Sequence, residues 1–245
     1  MFDMSPSDRK TEGRTAYMLN MKISSAEECR ELFLRIGGKE MFVPARFSLP
    51  IVGIYYVLEG HVALMGTSVE GEGHSFIYFR PGDVLNFFPV VADSCGIPWT
   101  SNSFRLFCES LDMRTKTPCR LILVEHDDFR KHMDEGPVKD LLLRSLTSNL
   151  QRALSQSLNN CMVTAPVRVC RMIVTSMSEK APHILPRFLT HAEIAGHLSL
   201  HVMTVTKIFH ALREQGILEK SGSTVQVKKP DLLQRIAYQE AQLIY

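Results

Sequence analysis

The sequence predicts an α+β fold with a β-rich N-terminal half, one long helix and a C-terminal part built of short helices. Short runs rich in β-branched and aromatic residues, separated by Gly and Pro, alternate between residues 39 and 126. Leucine recurs at every fourth position from Leu142 to Leu158. Two short amphipathic segments within residues 189–218 precede a pair of β-type runs joined by a Gly-containing turn.

The N-terminal half begins with a polar stretch, residues 1–21, which predicts a flexible tail. The segment SAEECRELFLRIG predicts a short helix that Ser24 or Ser25 caps and Gly37 stops. The runs that follow have the spacing of about ten residues that is typical of a sandwich or barrel of short strands. Among them, GHSFIYFRPGDVLNFFPVV is expected to form strands around a PGD turn. The segment DDFRKHM then predicts a helix with Asp127 as its N-cap.

The long helical pattern begins at Pro137 and extends to about residue 164, far beyond the average helix length of about 11–12 residues. Its leucine stripe is narrow, which is typical of a helix that packs against a second copy of itself. An ordinary amphipathic core helix is the alternative. The predicted dimerisation residues are Leu142, Leu146, Leu150, Leu154 and Leu158.

The composition of the chain restricts the class of protein. A net charge of +2 and a pI of about 8.2 permit nucleic-acid binding if basic residues are concentrated locally. The six cysteines form no CxxC pair, so we expect a reducing, cytoplasmic compartment. No apolar run reaches the roughly 18 residues of a membrane span, so no membrane partner is expected.

The C-terminal stretch LTHAEIAGHLSLHVMTVTKIFHALREQGIL predicts two short helices joined by a tight turn. Thr190 and Glu193 have the T-x-x-E spacing of a capping box at the start of the first helix. The hairpin pattern ILEK-SGST-VQVKK follows the second helix. Together these parts predict a winged helix-turn-helix, whose second helix can enter the major groove of DNA. A helical hairpin without a nucleic-acid role is the alternative. The predicted apolar face of the second helix consists of Val205, Ile208, Phe209 and Leu212.

The opposite face of the second helix is the predicted DNA-binding surface. Lys207 and His210 can meet bases or phosphates, and Thr206 can both donate and accept hydrogen bonds. The pair Lys228-Lys229 after the hairpin is expected near the phosphate backbone. The full set of predicted DNA-binding residues is Thr190, His191, His201, Val202, Met203, Thr206, Lys207 and His210.

The order of these parts resembles the Crp/Fnr family of bacterial transcription regulators. The stretches that carry the resemblance are IYYVLEGHVAL, YFRPGDVLNFF and the helix pair above, and it extends from about residue 22 to the end. It implies an antiparallel, jelly-roll-like β-roll that binds an effector, and a homodimer that binds a two-fold symmetric DNA site. The expected domains are a flexible tail (1–21), an effector-sensing β-roll (22–136), a dimerisation helix (137–164) and a winged helix-turn-helix DNA-binding domain (165–245).

The recognition helix departs from the family's pattern. Many members carry an Arg-Glu pair and a later Arg in this helix, at positions that correspond to Val202, Met203 and Lys207. A Lys point charge replaces an Arg fork, and two apolar side chains replace polar ones. The common half-site of the family is therefore not expected here, and Val202 or Met203 can instead pack on a thymine methyl group.

The effector pocket departs from the pattern as well. Cyclic-nucleotide members hold the ribose with a Glu and the phosphate with an Arg-Ser pair, where this chain has Phe87, Glu109 and Ser110. A Glu would repel the cyclic phosphate, so cyclic AMP is not the expected effector. An apolar or aromatic ligand is expected, and burial of most of the pocket's rings in the core is the alternative. The predicted effector residues are Phe79, Asp83, Asn86, Phe87, Phe88, Trp99, Glu109 and Ser110.

Two other functions stay open from the sequence: a cupin-like metal-dependent enzyme, and a redox-sensing regulator that uses cysteines such as Cys108 and Cys119. A cupin site needs several His or carboxylate ligands on adjacent strands, and the β-rich half has no HxH motif. No G-x-S-x-G, P-loop or dinucleotide fingerprint is present either. We therefore expect no enzyme activity, no metal and no cofactor. The expected partners are double-stranded DNA, a second copy of the chain, RNA polymerase and an unknown small-molecule effector.

Overall fold

The computed structural model describes residues 25–67, 73–97 and 111–245. The β-rich part contains, in chain order, α1 (Ala26–Arg35), β1 (Lys39–Val43), β2 (Gly53–Glu59), β3 (Val62–Thr67), β4 (Gly73–Phe79), β5 (Val84–Leu85), α2 (Phe88–Ser94), β6 (Leu111–Thr115), β7 (Cys119–Glu125) and α3 (His126–His132). The C-terminal part contains α4 (Gly136–Met162), α5 (Ala165–Ser176), β8 (His183–Leu185), α6 (His191–His197), α7 (Val202–Glu214), β9 (Leu218–Ser221), β10 (Thr224–Val227) and α8 (Pro230–Ala237). This order confirms the predicted α+β fold. The predicted tail, Trp99, Cys108, Glu109 and Ser110 lie outside the described residues.

The β-rich part is a roll of two antiparallel sheets, with strand orders β1-β7-β2-β5 and β4-β3-β6. Apolar side chains of both sheets, such as Tyr55, Val62 and Leu121, meet in one buried core. The predicted PGD turn joins β4 to β5. Gly82 takes a φ of 94° in this turn, a conformation that favours glycine, and the Asp83 carboxylate accepts a hydrogen bond from the Arg80 amide at 2.8 Å.

Helix α1 begins as the sequence predicts. Ser25 is its N-cap, and the Ser25 hydroxyl and the Glu28 carboxylate form a reciprocal capping box. The predicted N-cap of α3, Asp127, is wrong, because Glu125 holds that position without a side-chain cap. Asp127 lies in the first turn, where its carboxylate pairs with Arg130 at 3.1 Å.

Helix α2 occupies a segment for which the sequence predicted a strand. Pro89 stands in its first turn, where the missing N–H is not needed, and Val90 and Ala92 are buried. A short apolar run has the same composition in a buried strand as in a buried helix, so periodicity could not separate the two. The last helix, α8, ends at Ala237, and Gln239 just after it takes a φ of 65°.

Helix α4 starts within the β-roll and then extends away from its core. Leu142 is buried in the protomer's own core with α1 and α3, and Leu146 packs against the same cluster. The side chains of Leu150, Leu154 and Leu158 are exposed by 60%, 55% and 58%. The predicted leucine stripe therefore has two parts, and its three later leucines are open to another chain. This corrects the dimerisation role predicted for Leu142, which is needed inside its own protomer.

The C-terminal domain is a winged helix-turn-helix. Helices α5 to α8 pack around one apolar core, and the small sheet has the strand order β8-β10-β9. Val205 and Ile208 of α7 are fully buried in this core, as the sequence predicts. The β9–β10 hairpin turns at Gly222, with a φ of 58°, and forms the wing.

The two domains meet where α6 lies against β4. A Cβ atom at Gly196 would come within 2.8 Å of the His74 ring nitrogen Nδ1, so a larger residue here would have to displace that ring. The His197 ring nitrogen Nδ1 lies 2.8 Å from the Ser75 carbonyl oxygen, which can only accept, so Nδ1 carries the hydrogen. Burial lowers the pKa of His197, and the ring is therefore neutral at pH 7.

A polar cluster beside this contact joins Glu193 of α6 to three side chains of the β-roll. We call Glu193, Ser75, Tyr78 and Lys116 the Glu193 cluster. The Glu193 carboxylate accepts hydrogen bonds from the Ser75 hydroxyl at 2.6 Å and the Tyr78 hydroxyl at 2.6 Å, and pairs with the Lys116 ammonium at 2.8 Å. Burial alone would raise the pKa of Glu193, but these donors outweigh it and lower that pKa. Glu193 is therefore ionised at neutral pH.

The capping box predicted for α6 forms only in part. The Thr190 hydroxyl accepts a hydrogen bond from the Glu193 amide at 3.2 Å, as expected. The Thr190 amide, however, donates to the Phe188 carbonyl. The Glu193 carboxylate, which would have accepted from that amide, is instead bound to the β-roll.

Helix α4 contacts both domains with one face. The Arg152 guanidinium donates to the Asp83 carboxylate at 2.6 Å and to the Tyr78 carbonyl at 3.3 Å. One turn further on, the Gln156 amide donates to the His197 carbonyl at 3.0 Å. The PGD turn of the β-roll and the end of α6 are thus held by neighbouring side chains of the long helix.

Glu193→Gln is expected to loosen the contact between α6 and β4, because a neutral amide cannot pair with Lys116 as the carboxylate does. Losing a hydrogen bond to a charged group costs about 1–3 kcal/mol. Amide hydrogen exchange in α6 and β4 should accordingly become about 5- to 150-fold faster. The control is Glu214→Gln on exposed α7, which should leave exchange in β4 unchanged. Identical exchange in the two variants would contradict the role given to the Glu193 cluster.

Candidate nucleic-acid interface

Helix α7 begins at an unusual N-cap. The ring nitrogen Nδ1 of His201 accepts a hydrogen bond from the Met203 amide at 3.2 Å. His201 was predicted as a DNA contact, and the structure shows that it also orients the first turn of the recognition helix. The usual capping residues are Ser, Thr, Asp and Asn, so the sequence carried no capping signal at this position.

Helix α6 braces α7 through His191. Its Nδ1 atom is hydrogen-bonded to the Thr206 hydroxyl at 3.1 Å, and its ring centroid lies 4.5 Å from that of Phe209. Burial, followed by the nearby charges of Arg213 and Lys220, lowers the pKa of His191. His191 and Thr206, both predicted to contact DNA, are hydrogen-bonded to each other and so link α6 to α7; their contact with DNA stays a prediction.

The outward face of α7 presents four of the predicted DNA-binding residues. Val202 and Met203 are exposed by 42% and 57%. Lys207 is exposed, and the His210 ring is exposed as well, 3.9 Å from the Glu214 carboxylate. This face combines two apolar side chains near its start with a cation in its middle, so it can contact thymine methyl groups and accept a base or a phosphate as partner.

The two lysines predicted near the phosphate backbone both have partners within the domain. Lys228 pairs with Glu219 at 2.8 Å, and the Lys229 ammonium donates to the Gln215 carbonyl at the end of α7 at 2.8 Å. Both lysines are therefore engaged within the domain. Lys220 is exposed on β9, and sequence reasoning missed it because the hairpin register that turns it outward was not known.

Predicted effector residues in the β-roll have structural roles. Phe79 and Phe87 are 5% and 3% exposed and belong to the apolar cores, as the core alternative expected. Asp83 pairs with Arg152 of α4. Asn86, at a φ of 60°, donates its side-chain amide to the Gly53 carbonyl at 2.8 Å.

The described members of this set line neither of two clefts on the surface. Phe88 is 42% exposed, on the outer side of α2. Two surface clefts of about 840 Å³ and 470 Å³ are present, and none of the described effector residues lines either of them. Trp99, Glu109 and Ser110, which complete the predicted set, lie outside the described residues.

The buried thiols have little thiolate character. The Cys119 thiol is hydrogen-bonded to the His61 carbonyl at 3.4 Å, and burial raises its pKa. Burial also raises the pKa of Cys29, and that of Cys170 to about 12. A thiol of this kind reacts slowly with oxidants, which weakens the case for Cys119 as a redox sensor.

Metal-binding clusters and membrane-spanning helices are both absent from residues 25–67, 73–97 and 111–245. This part of the chain contains no group of three or more His, Cys, Asp or Glu side chains placed to hold a metal ion. None of its helices is both long enough and apolar enough to cross a membrane.

Solved structures of bacterial regulators share this fold over nearly their whole length. FixK2 from Bradyrhizobium japonicum is 19% identical with a TM-score of 0.64, and the match covers 81% of this chain and 96% of that one. TTHA1359, a Crp/Fnr transcriptional regulator from Thermus thermophilus, is 19% identical with a TM-score of 0.62, covering 82% and 98%. The c-di-GMP responsive global regulator CLP of Xanthomonas campestris is 15% identical with a TM-score of 0.61, covering 83% and 99%.

At the level of sequence, residues 167–236 match the family described as the Crp-like helix-turn-helix domain. No curated protein sequence matches the chain. The matched residues include all of α6, α7 and the wing, which carry the geometry described above. The resemblance to the Crp/Fnr transcription regulators is thereby confirmed: the C-terminal domain is a Crp-like helix-turn-helix domain, and the chain as a whole has the Crp/Fnr fold.

Proposed function

We propose that this protein is a homodimeric, DNA-binding transcription regulator whose affinity for DNA is set by an effector. The observation that carries the proposal is the exposed face of α7 within a domain that matches the Crp-like helix-turn-helix family. Two such helices in a dimer match two half-sites of a symmetric operator. RNA polymerase is the further partner expected of a regulator bound near a promoter.

The dimer is supported by the second half of α4. Leu150, Leu154 and Leu158 expose more than half of their side chains in the isolated protomer. Leu143, seven residues before Leu150, is 49% exposed and extends the same stripe. Apolar residues at spacings of three, four and seven form the seam of a two-stranded coiled coil, and a second copy of α4 is the occupant that fits this seam best.

Replacing Leu150 and Leu154 together by Lys should produce a monomer, since two like charges from each chain would face each other across the seam. Sedimentation velocity measures the change in mass directly. The matched control is Ala153→Lys, at an exposed position on the flank of the same helix, where a coiled coil tolerates a charge. A double variant that remains dimeric and binds DNA normally would contradict the proposed interface.

The proposal that the exposed face of α7 contacts DNA is supported by the burial of its opposite face. Because Val205, Ile208 and Leu212 are fully buried, Lys207 projects away from the core. Lys228 and Lys229 already have partners within the domain. We therefore expect Lys207 to supply more of the positive charge that meets DNA than these two lysines do.

Lys207→Ala should therefore weaken DNA binding. If the ammonium meets a phosphate, affinity falls on every sequence and the salt slope falls by about two ions per dimer. If it meets a guanine, the loss is about 1–3 kcal/mol per half-site and is confined to one base position. Affinities on single-base operator variants at several salt concentrations distinguish these cases. The control is Lys180→Ala, in the loop before β8. If Lys207→Ala changes neither the DNA affinity nor the salt slope, the DNA-contacting surface would be the wing and not α7.

Cyclic AMP is not the proposed effector. Phe87 stands where the cyclic-nucleotide members of the family carry their ribose-binding Glu, and it is buried in the core of the β-roll. A phenyl ring has no carboxylate to accept a hydrogen bond from a ribose hydroxyl, so Phe87 cannot take over the role of that Glu. Calorimetric titration with cyclic AMP should give a dissociation constant no tighter than about 1 mM, and a micromolar constant would refute this reading of the pocket.

A further inference from the structure

A cleft of about 840 Å³ opens between the β-roll and the helix-turn-helix domain. Its β-roll wall is lined by Arg46, Arg114 and Lys116, and its other wall by Arg187 and the start of α6. The volume lies within the range of about 300–1,000 Å³ that is usual for small-molecule sites. Neither the exposed face of α7 nor any predicted effector residue that the structure describes lines it.

The cleft is strongly basic. Lys116 is paired with Glu193, and Arg114 is paired with Asp112 at 2.7 Å. Arg46 and Arg187 take part in none of the ion pairs found among the described residues. Both residues line the cleft, and cations without a carboxylate partner among the described residues favour a bound anion.

Arg46 is held in place by its backbone. It takes a φ of 65°, which is unfavourable for a residue with a side chain, and its amide donates to the Thr115 carbonyl at 2.7 Å. The fully buried Thr115 hydroxyl binds the same loop at the Pro44 carbonyl and the Phe47 amide. Such strain persists only where surrounding contacts impose it, and it is concentrated at functional sites. The loop therefore presents Arg46 at a defined place on the rim.

The remaining lining is apolar and aromatic. Met65, Pro118 and Phe188 line the cleft. The Phe188 ring packs against the rings of His61 and Tyr78, with centroids 5.2 Å and 5.7 Å away. Burial lowers the pKa of His61, so this ring adds surface rather than charge at pH 7. The cleft thus suits a molecule with an apolar or aromatic body as well as charged groups.

We propose that this cleft binds an organic anion with at least two negative charges, carried by phosphate or carboxylate groups. Arg46 and Arg187 bind these groups through their planar forks. The anion competes with Glu193 for Lys116, which weakens the Glu193 cluster and frees α6 from β4. The proposal of an anion site depends only on the cleft. The proposal that the bound anion is the effector rests on the function proposed above.

A DNA backbone is a less suitable occupant. Lys116 lines the cleft but is only 11% exposed and is paired with Glu193. A duplex, about 20 Å across, meets exposed cations but does not enter a cleft that admits a small molecule. The distinction is testable, because small anions and DNA fragments can be titrated separately.

The test is calorimetric titration of the full-length protein, without DNA, with ATP, pyrophosphate and citrate at constant ionic strength. At least one of these probes should bind saturably with a dissociation constant below about 1 mM. The double variant Arg46→Gln/Arg187→Gln should weaken that binding at least about tenfold. Arg35→Gln/Arg235→Gln, which removes the same charge elsewhere on the surface, should leave it unchanged.

Glu193→Gln provides a second readout that a merely structural role would not produce. It removes the competing carboxylate from Lys116, so the affinity for the anion should rise at least about fivefold. No saturable binding of any probe, or equal binding by the Arg46/Arg187 variant, would overturn the site. Lost DNA affinity in that variant without anion binding would assign the cleft to DNA instead. Since the titration contains no DNA, its failure is distinguishable from failure of the regulator proposal.

Discussion

The ionised carboxylate of Glu193 lies between the two domains, where its exposed fraction is only 20%. A charged group withdrawn from water in this way is stable only with close donors around it. Three donors are present at 2.6–2.8 Å, and all of them belong to the β-roll. Separating the domains leaves Glu193 and Lys116 without each other, so the position of α6 depends on this pairing. Helix α7 packs against α6, and the orientation of the recognition face follows from the same contact.

Local patterns predicted the order of the parts and the orientation of their apolar faces. The period of Val205, Ile208 and Leu212 predicted which side of α7 is buried, and the structure buries that side. The PGD sequence predicted a turn, and Gly82 supplies the conformation that this turn requires. These signals are short-range, because each depends on residues within one or two turns of chain.

The parts of the site that escaped prediction depend on contacts distant in sequence. Ser75, which binds the Glu193 carboxylate, is 118 residues away along the chain, so the T-x-x-E motif predicted a capping box that forms only in part. His191 was predicted only as a DNA contact, and its hydrogen bond to Thr206 and ring contact with Phe209 could not be read from the sequence. Phe87 follows the PGD turn in sequence, but its burial in an apolar core depends on residues distant in the chain.

Arg152 and Gln156 lie one turn apart on α4, and each holds a different domain. Residues at this spacing point in nearly the same direction, so a rotation of the helix that breaks one of these bonds also breaks the other. Packed interfaces of this kind have a few discrete arrangements and do not deform continuously. An intermediate response to the proposed effector would then be a mixture of docked and undocked molecules in changing proportion. Distances between the domains measured on single molecules would fall into two populations, and the effector would alter their weights without moving their positions.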